Sequence, residues 1–539
     1  MAEFGPLTIH DNPDGWGPPM DLAPAKFQDM PYAPFSKSDR LGRAADWTSF
    51  GNRHHRDPTP EDPTSEFTIV DNKVIPRTGG YGRGRSSFRG SYRGRSGRYG
   101  DRGGDRDMNR RSNRGGRGSS RGGRSNYRSR WEDRRNIQRE SSVEVGTEWV
   151  QLEELTSNAL SKLSYKPVTS GETITTCGVL PYVDRTLDKI TAKNPRPLRK
   201  STTEYPRVTT TDDPVIRKIA ASGEGSVFAT GAILALIMAV PRSVQSWDVI
   251  VQRIGGKLFL DKRDGSMVDY VTVNETSHDA PKDEKNLTGD EVINSFQSLS
   301  KEATKINENF TQAVVSKTDV FKYPEGNPFA DEVEGTPVNI AYRYRKWSLT
   351  DDITIVARCE LDGAFKASAA EDEPLPISIR ALNEFFDPNA RQPTDWRGKL
   401  DTQRGAVLAT EVKNNASKLA RWTAEALLAD TDRIQFGFVS RTRAAKADSH
   451  TILGAQMYRP KEFASQIALN TSNMWGILKE VIDSCYKNLE DGQKGVLLKD
   501  PNKSILRLYH VPDDAFEEDE EEDDEDEEGD DAQQGTLFM

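Results

Sequence analysis

Charge is segregated along this chain, and that segregation limits what the chain can fold into. Residues 77–139 hold 20 arginines, no lysine and 5 acidic residues, so this block carries a charge of +15. Residues 513–531 hold 16 acidic residues and no basic ones. Blocks of like charge repel themselves and cannot bury a core. We therefore expect both blocks to stay disordered, and we assign the folded body to residues 142–512.

The arginine block is typical of a disordered segment that binds RNA. Arginine binds phosphate through paired hydrogen bonds and stacks on bases, and the aromatic rings between the arginines add stacking surfaces. A solvated linker that only aids solubility is the alternative. The acidic run lies in a tail, residues 513–539, which either aids solubility, docks on basic surfaces or folds back on the arginine block.

The first 47 residues combine proline, glycine and aromatic residues and cannot bury a core alone. A disordered linker, residues 48–141, joins them to the body. A free coil does not explain aromatic rings, whereas a peptide that docks into a partner's groove does. The rings that we assign to this docking are Trp16, Tyr32, Phe35 and Trp47.

The body mixes strand and helix patterns, which predicts one large α+β domain. Alternating apolar residues indicate strands, and apolar residues at i, i+3, i+4 and i+7 indicate helices. Two polar inserts, residues 267–285 and 371–403, are expected as loops. The strand patterns cover 249–263 (with a turn at Gly255 and Gly256), 352–363 and 406–413, and the helix patterns cover 418–429 and 472–489.

Membrane, disulfide and metal sites are not indicated. The longest apolar stretch, residues 227–240, has about 14 residues, and a membrane span needs about 20. Three widely spaced cysteines give neither a disulfide framework nor a zinc motif, and the six histidines lack metal-ligand spacing. We expect a protein of a reducing compartment, with no cofactor and no bound metal.

Two charged pairs could carry chemistry. Glu360 and Asp362 are two residues apart in a predicted strand, as are Glu411 and Lys413, and alternate residues of a strand share a face. Three carboxylates can bind Mg²⁺, and a lysine can stabilise a phosphate during transfer. This is the arrangement of a metal-dependent nuclease, although solvated strand faces often produce the same spacing.

Basic and aromatic residues alternate in NIAYRYRKW, residues 339–347. One interpretation is a surface that stacks on bases and grips phosphate. The other is a strand whose rings (Tyr342, Tyr344 and Trp347) lie inward as core, with Arg343 and Arg345 outward.

Eight segments are distinctive as a set, and they are DNPDGWGPP, FQDMPYAPFSKSDRLGRAADW, VTTTDDPVIRK, RSVQSWDVIVQRIGGKLFLDKRDGS, AYRYRKW, DTQRGAVLATEVKNNASKLARWTAEALLA, PKEFASQI and LKDPNK. Together they resemble the family of the d subunit of eukaryotic translation initiation factor three. They cover the first 47 residues and most of 208–503. The resemblance implies a cytoplasmic component of the factor that loads mRNA on the small ribosomal subunit. It also implies a body with the decapping exoribonuclease fold that binds the 7-methylguanosine cap of selected mRNAs.

The resemblance further implies roles for individual segments. Residues 1–47 would dock on the e subunit, and the insert from Met267 to Pro281 would form a gate over the RNA path. Cap binding is implied for two helices, which match the region of Val244 and Gln245 and the residues Thr304, Asn307 and Glu308.

The exoribonuclease relatives carry E-x-D and E-x-K patterns that match the two charged pairs above. They also carry an arginine and a glutamate near the positions of Thr230 and Thr311. Loss of a phosphate-binding arginine and of a metal ligand implies a catalytically inactive relative. In it, Arg358 and Lys413 would contact RNA phosphate, and the three carboxylates would hold this basic face through ion pairs.

Two alternatives stay open at this point. One is an active metal-dependent cap hydrolase or exonuclease. The other is a purely structural subunit with a vestigial pocket, because the chain departs from the family pattern at Gly231, Gln245 and Glu308.

Overall fold

A computed structural model describes residues 139–277, 279–332, 335–366, 373–385 and 395–516. Within these residues, 17 strands and nine α-helices are present. The strands are β1 (Val150–Thr156), β2 (Glu172–Val183), β3 (Arg196–Leu198), β4 (Thr203–Glu204), β5 (Val227–Thr230), β6 (Trp247–Ile254), β7 (Lys257–Asp261), β8 (Val315–Lys322), β9 (Thr336–Pro337), β10 (Ala341–Ser348), β11 (Thr354–Leu361), β12 (Gly363–Phe365), β13 (Leu375–Asn383), β14 (Arg433–Arg441), β15 (His450–Tyr458), β16 (Lys494–Lys499) and β17 (Ile505–Val511). The helices are α1 (Ser157–Leu160), α2 (Pro214–Ser222), α3 (Gly231–Met238), α4 (Phe296–Val314), α5 (Trp396–Lys399), α6 (Arg404–Asn414), α7 (Ala416–Ala429), α8 (Pro460–Gln466) and α9 (Thr471–Asn488). Short 3₁₀ turns cover Arg185–Lys189, Val240–Arg242, Glu284–Asn286 and Gly289–Asn294.

Most of the strands join one mixed sheet. Its order is β1-β17-β16-β6-β7-β5-β11-β10-β2-β12-β13-β14-β15-β3, and β8 also pairs with β2. Most neighbours are antiparallel, whereas β5 runs parallel to β7 and β11, β2 runs parallel to β12, and β13 runs parallel to β14. The structure therefore confirms the predicted α+β class with a large mixed sheet.

The β6–β7 hairpin turns at the predicted glycines. Ile254 pairs with Lys257, and Gly255 and Gly256 have φ angles of 58° and 75°. Positive φ at both central residues suits a tight two-residue turn that matches the twist of the strands.

The long apolar stretch forms the centre of the core. It contains β5 and then α3, a helix that is buried on all sides. Helices α7 and α9 contribute to the same apolar cluster as α3. The predicted apolar stripe of α9 is confirmed, because Met474, Ile477, Val481 and Cys485 are all buried. Among the described residues, no helix is long and apolar enough to cross a membrane.

The prediction of a strand over residues 406–413 is wrong, since this segment lies in α6. Alanine, leucine, glutamate and lysine favour a helix, and short apolar runs leave the choice of element ambiguous. Residues two apart on a helix point in nearly opposite directions. Glu411 is accordingly buried, whereas Lys413 is exposed.

The two polar inserts have different outcomes. Residues 267–277 and 279–285 form a loop that ends in the 3₁₀ turn Glu284–Asn286, as predicted. The segment 371–403 is not only a loop, because it contains β13 and α5. Two prolines near the start of β13 hid this strand, although proline is tolerated at the beginning of a strand.

Strand β10 confirms the core interpretation of its rings and corrects the position of its arginines. Tyr342 and Tyr344 join one apolar cluster, whereas Trp347 joins another. Arg343 and Arg345 do not point to solvent as predicted. They donate hydrogen bonds to the carbonyls of Ala429 and Leu428 at the end of α7 (3.0 and 2.6 Å) because that helix end lies against the strand.

Both ends of the described body are tied to its surface. The Arg139 amide donates to Asn502 Oδ1 (2.9 Å), and the Phe516 ring lies edge-on to Trp149 with centroids 5.9 Å apart. The docking rings (Trp16, Tyr32, Phe35 and Trp47), nearly all of the arginine block and most of the acidic tail lie outside the described residues.

Candidate functional site

A cleft with a volume of about 80 Å³ opens beside the carboxyl end of β11. Strands β11 and β13, the start of α3, helix α7 and the loop after β7 all contribute to its lining. The charged residues of the lining are Lys262, Asp269, Arg358, Glu360, Arg380 and Glu425.

Arg380 of β13 bridges two carboxylates at this cleft. Its Nη1 lies 2.6 Å from Asp362 Oδ2, and its Nη2 lies 3.0 Å from Glu425 Oε2. Asp362 also accepts the Ile379 amide at 2.8 Å. Burial alone would lower the pKa of Arg380, but the attraction of the two carboxylates outweighs it and raises the pKa. Arg380 is thus a permanent cation fixed between two anions.

Arg358 lines the cleft, but its guanidinium is bonded into the core. Its Nη1 lies 2.8 Å from Asp213 Oδ2, its Nη2 donates to the Val208 carbonyl (2.7 Å), and it stacks on the Phe329 ring at 4.8 Å. The side chain is only 5% exposed. The guanidinium is hydrogen-bonded into the core, which argues against the predicted contact with RNA phosphate.

Glu360 is the carboxylate of the cleft that lacks a close partner. Its side chain is exposed to solvent, and none of the described residues donates a hydrogen bond to it. The surrounding protein desolvates the carboxylate and raises its pKa, and Arg358 acts in the opposite direction. The third cation of the lining, Lys262, is 2.6 Å from Asp269. Each cation of the lining is thus paired with a carboxylate. When Asp213 and Asp362 are counted, which pair with these cations from outside the lining, five carboxylates face three cations.

Tyr205 links the cleft to helix α4. Its hydroxyl lies 3.1 Å from Gln312 Nε2. Burial raises the pKa of Tyr205, the hydrogen bond from Gln312 opposes this, and Asp362, Glu308 and Glu360 raise the pKa further. Glu308, Asp362 and Glu360 thus all act on the Tyr205 hydroxyl, although Glu308 does not line the cleft.

The residues predicted for one of the two cap-binding helices do lie on a helix, α4. The Asn307 side chain accepts the Ala381 amide (2.9 Å), and the Thr304 hydroxyl accepts the Val271 amide (2.9 Å). These two side chains hold the helix to its neighbours. Glu308, which is 21% exposed and 3.0 Å from Lys305, remains at the surface.

A close approach to the sheet fixes the position of α4. Phe310 of this helix is fully buried against Gly437 of β14. A Cβ atom at position 437 would lie 2.1 Å from Phe310 Cζ, so only glycine allows this contact.

The other cap-binding helix is not present where it was predicted. Val244 and Gln245 lie in an irregular turn between the 3₁₀ turn Val240–Arg242 and β6. The Trp247 indole donates to the Ser243 hydroxyl (3.0 Å), and this hydrogen bond holds the turn at the start of the strand.

The insert from Met267 to Pro281, here called the gate segment, packs across the junction of α6 and α7. The Asn274 amide donates to Asn415 Oδ1 (2.8 Å), and the Thr276 amide donates to the Asn414 carbonyl (2.9 Å). Asn274 is buried with a φ of 48°. The segment also supplies Asp269 to the cleft, so it is placed where a gate would act, and its gating role stays a prediction.

Glu411 and Lys413 are not among the residues that line the cleft. Glu411 accepts a hydrogen bond from Asn415 Nδ2 (2.8 Å) and is buried near Lys418. Burial raises the pKa of Glu411 and lowers that of Lys418, while the attraction between the two groups opposes both shifts. The two charged pairs are therefore separate. Glu360 and Asp362 lie at the cleft, whereas Glu411 and Lys413 lie on α6 away from it.

The carboxylates of the cleft do not fit a divalent metal. Mg²⁺ and Mn²⁺ need several oxygen ligands with free lone pairs. The Arg380 guanidinium occupies Asp362 and Glu425, which leaves Glu360. Among the described residues, no group of three or more histidine, cysteine or acidic side chains is placed to hold a metal ion.

Arg380 and Glu425 are the functional residues that sequence reasoning missed. Arg380 is the one charged residue of β13, and Glu425 is the one acidic residue of α7. A charge within a largely buried element requires a partner, because an unpaired buried charge is costly. That signal is visible in the sequence, although it does not identify the partner.

The family model and the similar proteins found by comparison all carry the name of one protein family. The family model described as "Eukaryotic translation initiation factor 3 subunit 7 (eIF-3)" matches residues 4–510. The D subunit of eukaryotic translation initiation factor 3 from Nasonia vitripennis is 44% identical, with 96% of this chain and 94% of that protein covered. The D subunit from Homo sapiens is 42% identical, with 96% and 97% covered.

Solved structures with a similar fold share little sequence identity with this chain. Rai1 of Candida albicans, in complex with pU5-Mn2+, has a TM-score of 0.44 at 11% identity, with 68% of this chain and 95% of that chain covered. Dxo1 of K. lactis, in complex with manganese, has a TM-score of 0.34 at 9% identity, with 68% and 96% covered.

The family model spans nearly the whole chain, and the relatives match it over almost their full length. The chain therefore belongs to the family of the D subunit of eukaryotic translation initiation factor 3.

Proposed function

We propose that this chain is the component of the initiation factor 3 complex that binds the mRNA cap and brings selected capped mRNAs to the small ribosomal subunit. The observation that carries the proposal is the charge arrangement of the cleft. Arg380, Lys262 and Arg358 are each paired with carboxylates, and Glu360 is left without a cation.

An acidic cleft suits the base of the cap better than its phosphates. Methylation at N7 gives the guanine ring a positive charge, so the base is attracted by a negative site. The guanine edge also offers two neighbouring N–H donors, which a carboxylate can accept together. We assign this role to Glu308, which is at the surface of α4 and acts with Glu360 on the Tyr205 hydroxyl.

The same arrangement argues for binding without hydrolysis. Arg380 lies between the carboxylates that would otherwise hold a metal ion. Without a set of free oxygen ligands, the cleft has no means to activate water or to stabilise a leaving phosphate through a metal. The alternative of an active cap hydrolase or exonuclease is therefore less well supported.

Assembly is assigned to the segments outside the body. In this proposal, residues 1–47 dock on the e subunit, and the arginine block adds RNA affinity in the cytoplasm. Removal of residues 1–47 is expected to leave a folded chain that no longer co-purifies with the complex. Co-purification at the normal level would contradict the docking role.

The test compares the methylated and unmethylated cap analogues, m7GpppG and GpppG. We expect the purified chain to bind m7GpppG about tenfold more tightly, which corresponds to about 1.4 kcal/mol. The Glu308→Gln variant should lose most of this preference. Glu480→Gln, which changes an exposed helical glutamate of α9, is the matched control and should retain it.

Two results would contradict the proposal. Equal affinity for the two analogues would favour a vestigial pocket. Steady release of cap or nucleotides from capped RNA in Mg²⁺ or Mn²⁺ would instead favour the hydrolase.

A further inference from the structure

A strongly basic stretch at one edge of the sheet takes no part in the cleft. Seven exposed lysine and arginine residues lie within residues 185–207, and they are Arg185, Lys189, Lys193, Arg196, Arg199, Lys200 and Arg207. Among the described residues, no salt bridge includes any of them, whereas the cations of the cleft are all paired. The exposed acidic residues of the stretch are Asp188 and Glu204, so its net charge stays positive.

The fold places this stretch, here called the basic edge, along a continuous course. It begins with the 3₁₀ turn Arg185–Lys189 and continues through β3, the last strand of the sheet. The chain then crosses α4, where the Ser201 amide donates to Asn309 Oδ1 (2.7 Å). Because Asn309 follows Glu308, Arg199 and Lys200 lie next to the helix assigned to the cap.

An aromatic notch lies at the other end of the basic edge. Its cavity has a volume of about 230 Å³ and is lined by Tyr182, Phe365, Arg185 and Lys366, among others. The Arg185 guanidinium is 5.9 Å from the Phe365 ring, and Lys366 Nζ is 5.1 Å from the Tyr182 ring. Asp319, which pairs with Lys366 at 2.8 Å, also lines it.

We infer that the basic edge and the aromatic notch together bind single-stranded RNA. The cations contact the phosphates, and a base stacks on the rings of the notch. An acidic protein segment would be satisfied by the cations alone, whereas the two rings that line the notch offer a base a surface for stacking and so favour RNA. The inference extends the proposed function, because this surface holds the RNA that follows the cap. The same surface also binds RNA that has no cap.

The cations of the basic edge are exposed and form no salt bridge with any described residue. Exposed charges without partners contribute little to stability, so their removal leaves the fold intact. Each phosphate neutralised on a single strand contributes about 0.7 to the slope of log affinity against log salt. Three cations of the basic edge should therefore contribute a slope of about 2.

The test uses the full chain and an uncapped oligonucleotide of about 12 residues, titrated across a salt series. The variant Arg196→Ala/Arg199→Ala/Lys200→Ala should bind more weakly at low salt, with the slope reduced by about 2. The control Lys162→Ala/Lys166→Ala/Lys218→Ala removes the same charge from exposed positions elsewhere on the body and should keep the slope.

A second variant separates stacking from charge. Phe365→Leu keeps an apolar side chain and should weaken RNA binding about tenfold without a change in slope, because it removes a ring and no cation. A basic-edge variant with the same slope as the control would overturn the inference. The m7GpppG-to-GpppG ratio of each variant should equal that of the unmodified chain, so a failure of the cap site would be seen separately.

Discussion

The ion pair between Arg358 and Asp213 predicts a loss of stability, and not a loss of RNA binding, when Arg358 is replaced by methionine. Both side chains are nearly inaccessible, at 5% and 0% exposure. Removing one partner of a buried pair costs about 3–5 kcal/mol, because the other charge is left without compensation. The stacking of the guanidinium on Phe329 at 4.8 Å is lost as well.

The remaining partners of Asp213 place the expected cost near the lower end of that range. The carboxylate still accepts the Tyr344 hydroxyl (2.9 Å) and the Val215 and Ile216 amides at the start of α2 (2.8 and 3.1 Å). Negative charge at a helix N-terminus is also favourable. We therefore expect Arg358→Met to lower the free energy of unfolding by about 3 kcal/mol.

The assay is urea unfolding followed by circular dichroism, together with RNA affinity measured where both proteins are folded. The Arg358→Lys variant keeps the charge but cannot bond to Asp213 and Val208 together, so it should lose less stability. An Arg358→Met protein with normal stability and weakened RNA binding would refute the reasoning and return Arg358 to the RNA surface.

Two further predictions concern α4 and a buried lysine. Gly437→Ala should lower stability by about 1–3 kcal/mol through the clash with Phe310, and Gly437→Ala/Phe310→Leu should recover part of it in the same unfolding assay. Burial lowers the pKa of Lys499 to about 8, so the unfolded chain binds more protons than the folded chain above pH 8. The free energy of unfolding of the unmodified chain, compared with that of Lys499→Met, should therefore rise between about pH 8 and 10, by at most about 3 kcal/mol. A difference between the two proteins that does not vary with pH would contradict this.

The elements predicted correctly are those with long and regular patterns. Residues 352–363 alternate over a full strand, and α9 repeats its apolar stripe over five turns, so each pattern has one solution. Residues 406–413 are too short to separate a strand from a helix by periodicity. There the helix preference of the residue types, together with the buried face of Val407, Leu408 and Glu411, is the better guide.

The candidate site was predictable only in part. Glu360 and Asp362 were found because their strand was found. Arg380 was missed because its strand begins with prolines and follows a polar run. Pairings such as Arg380 with Glu425 join residues 45 positions apart, and a single sequence gives no distance between them.

The packing of the gate segment has a consequence for how the segment opens. The Asn274 amide donates to Asn415 and the Lys418 amide donates to Glu275 (2.7 Å), both in a buried cluster, and the half-buried Thr276 amide donates to the Asn414 carbonyl beside them. Neither of the two buried bonds can break alone without leaving a buried polar group unsatisfied. The segment should therefore open as one cooperative unit, so that these three amides exchange with deuterium at a common rate.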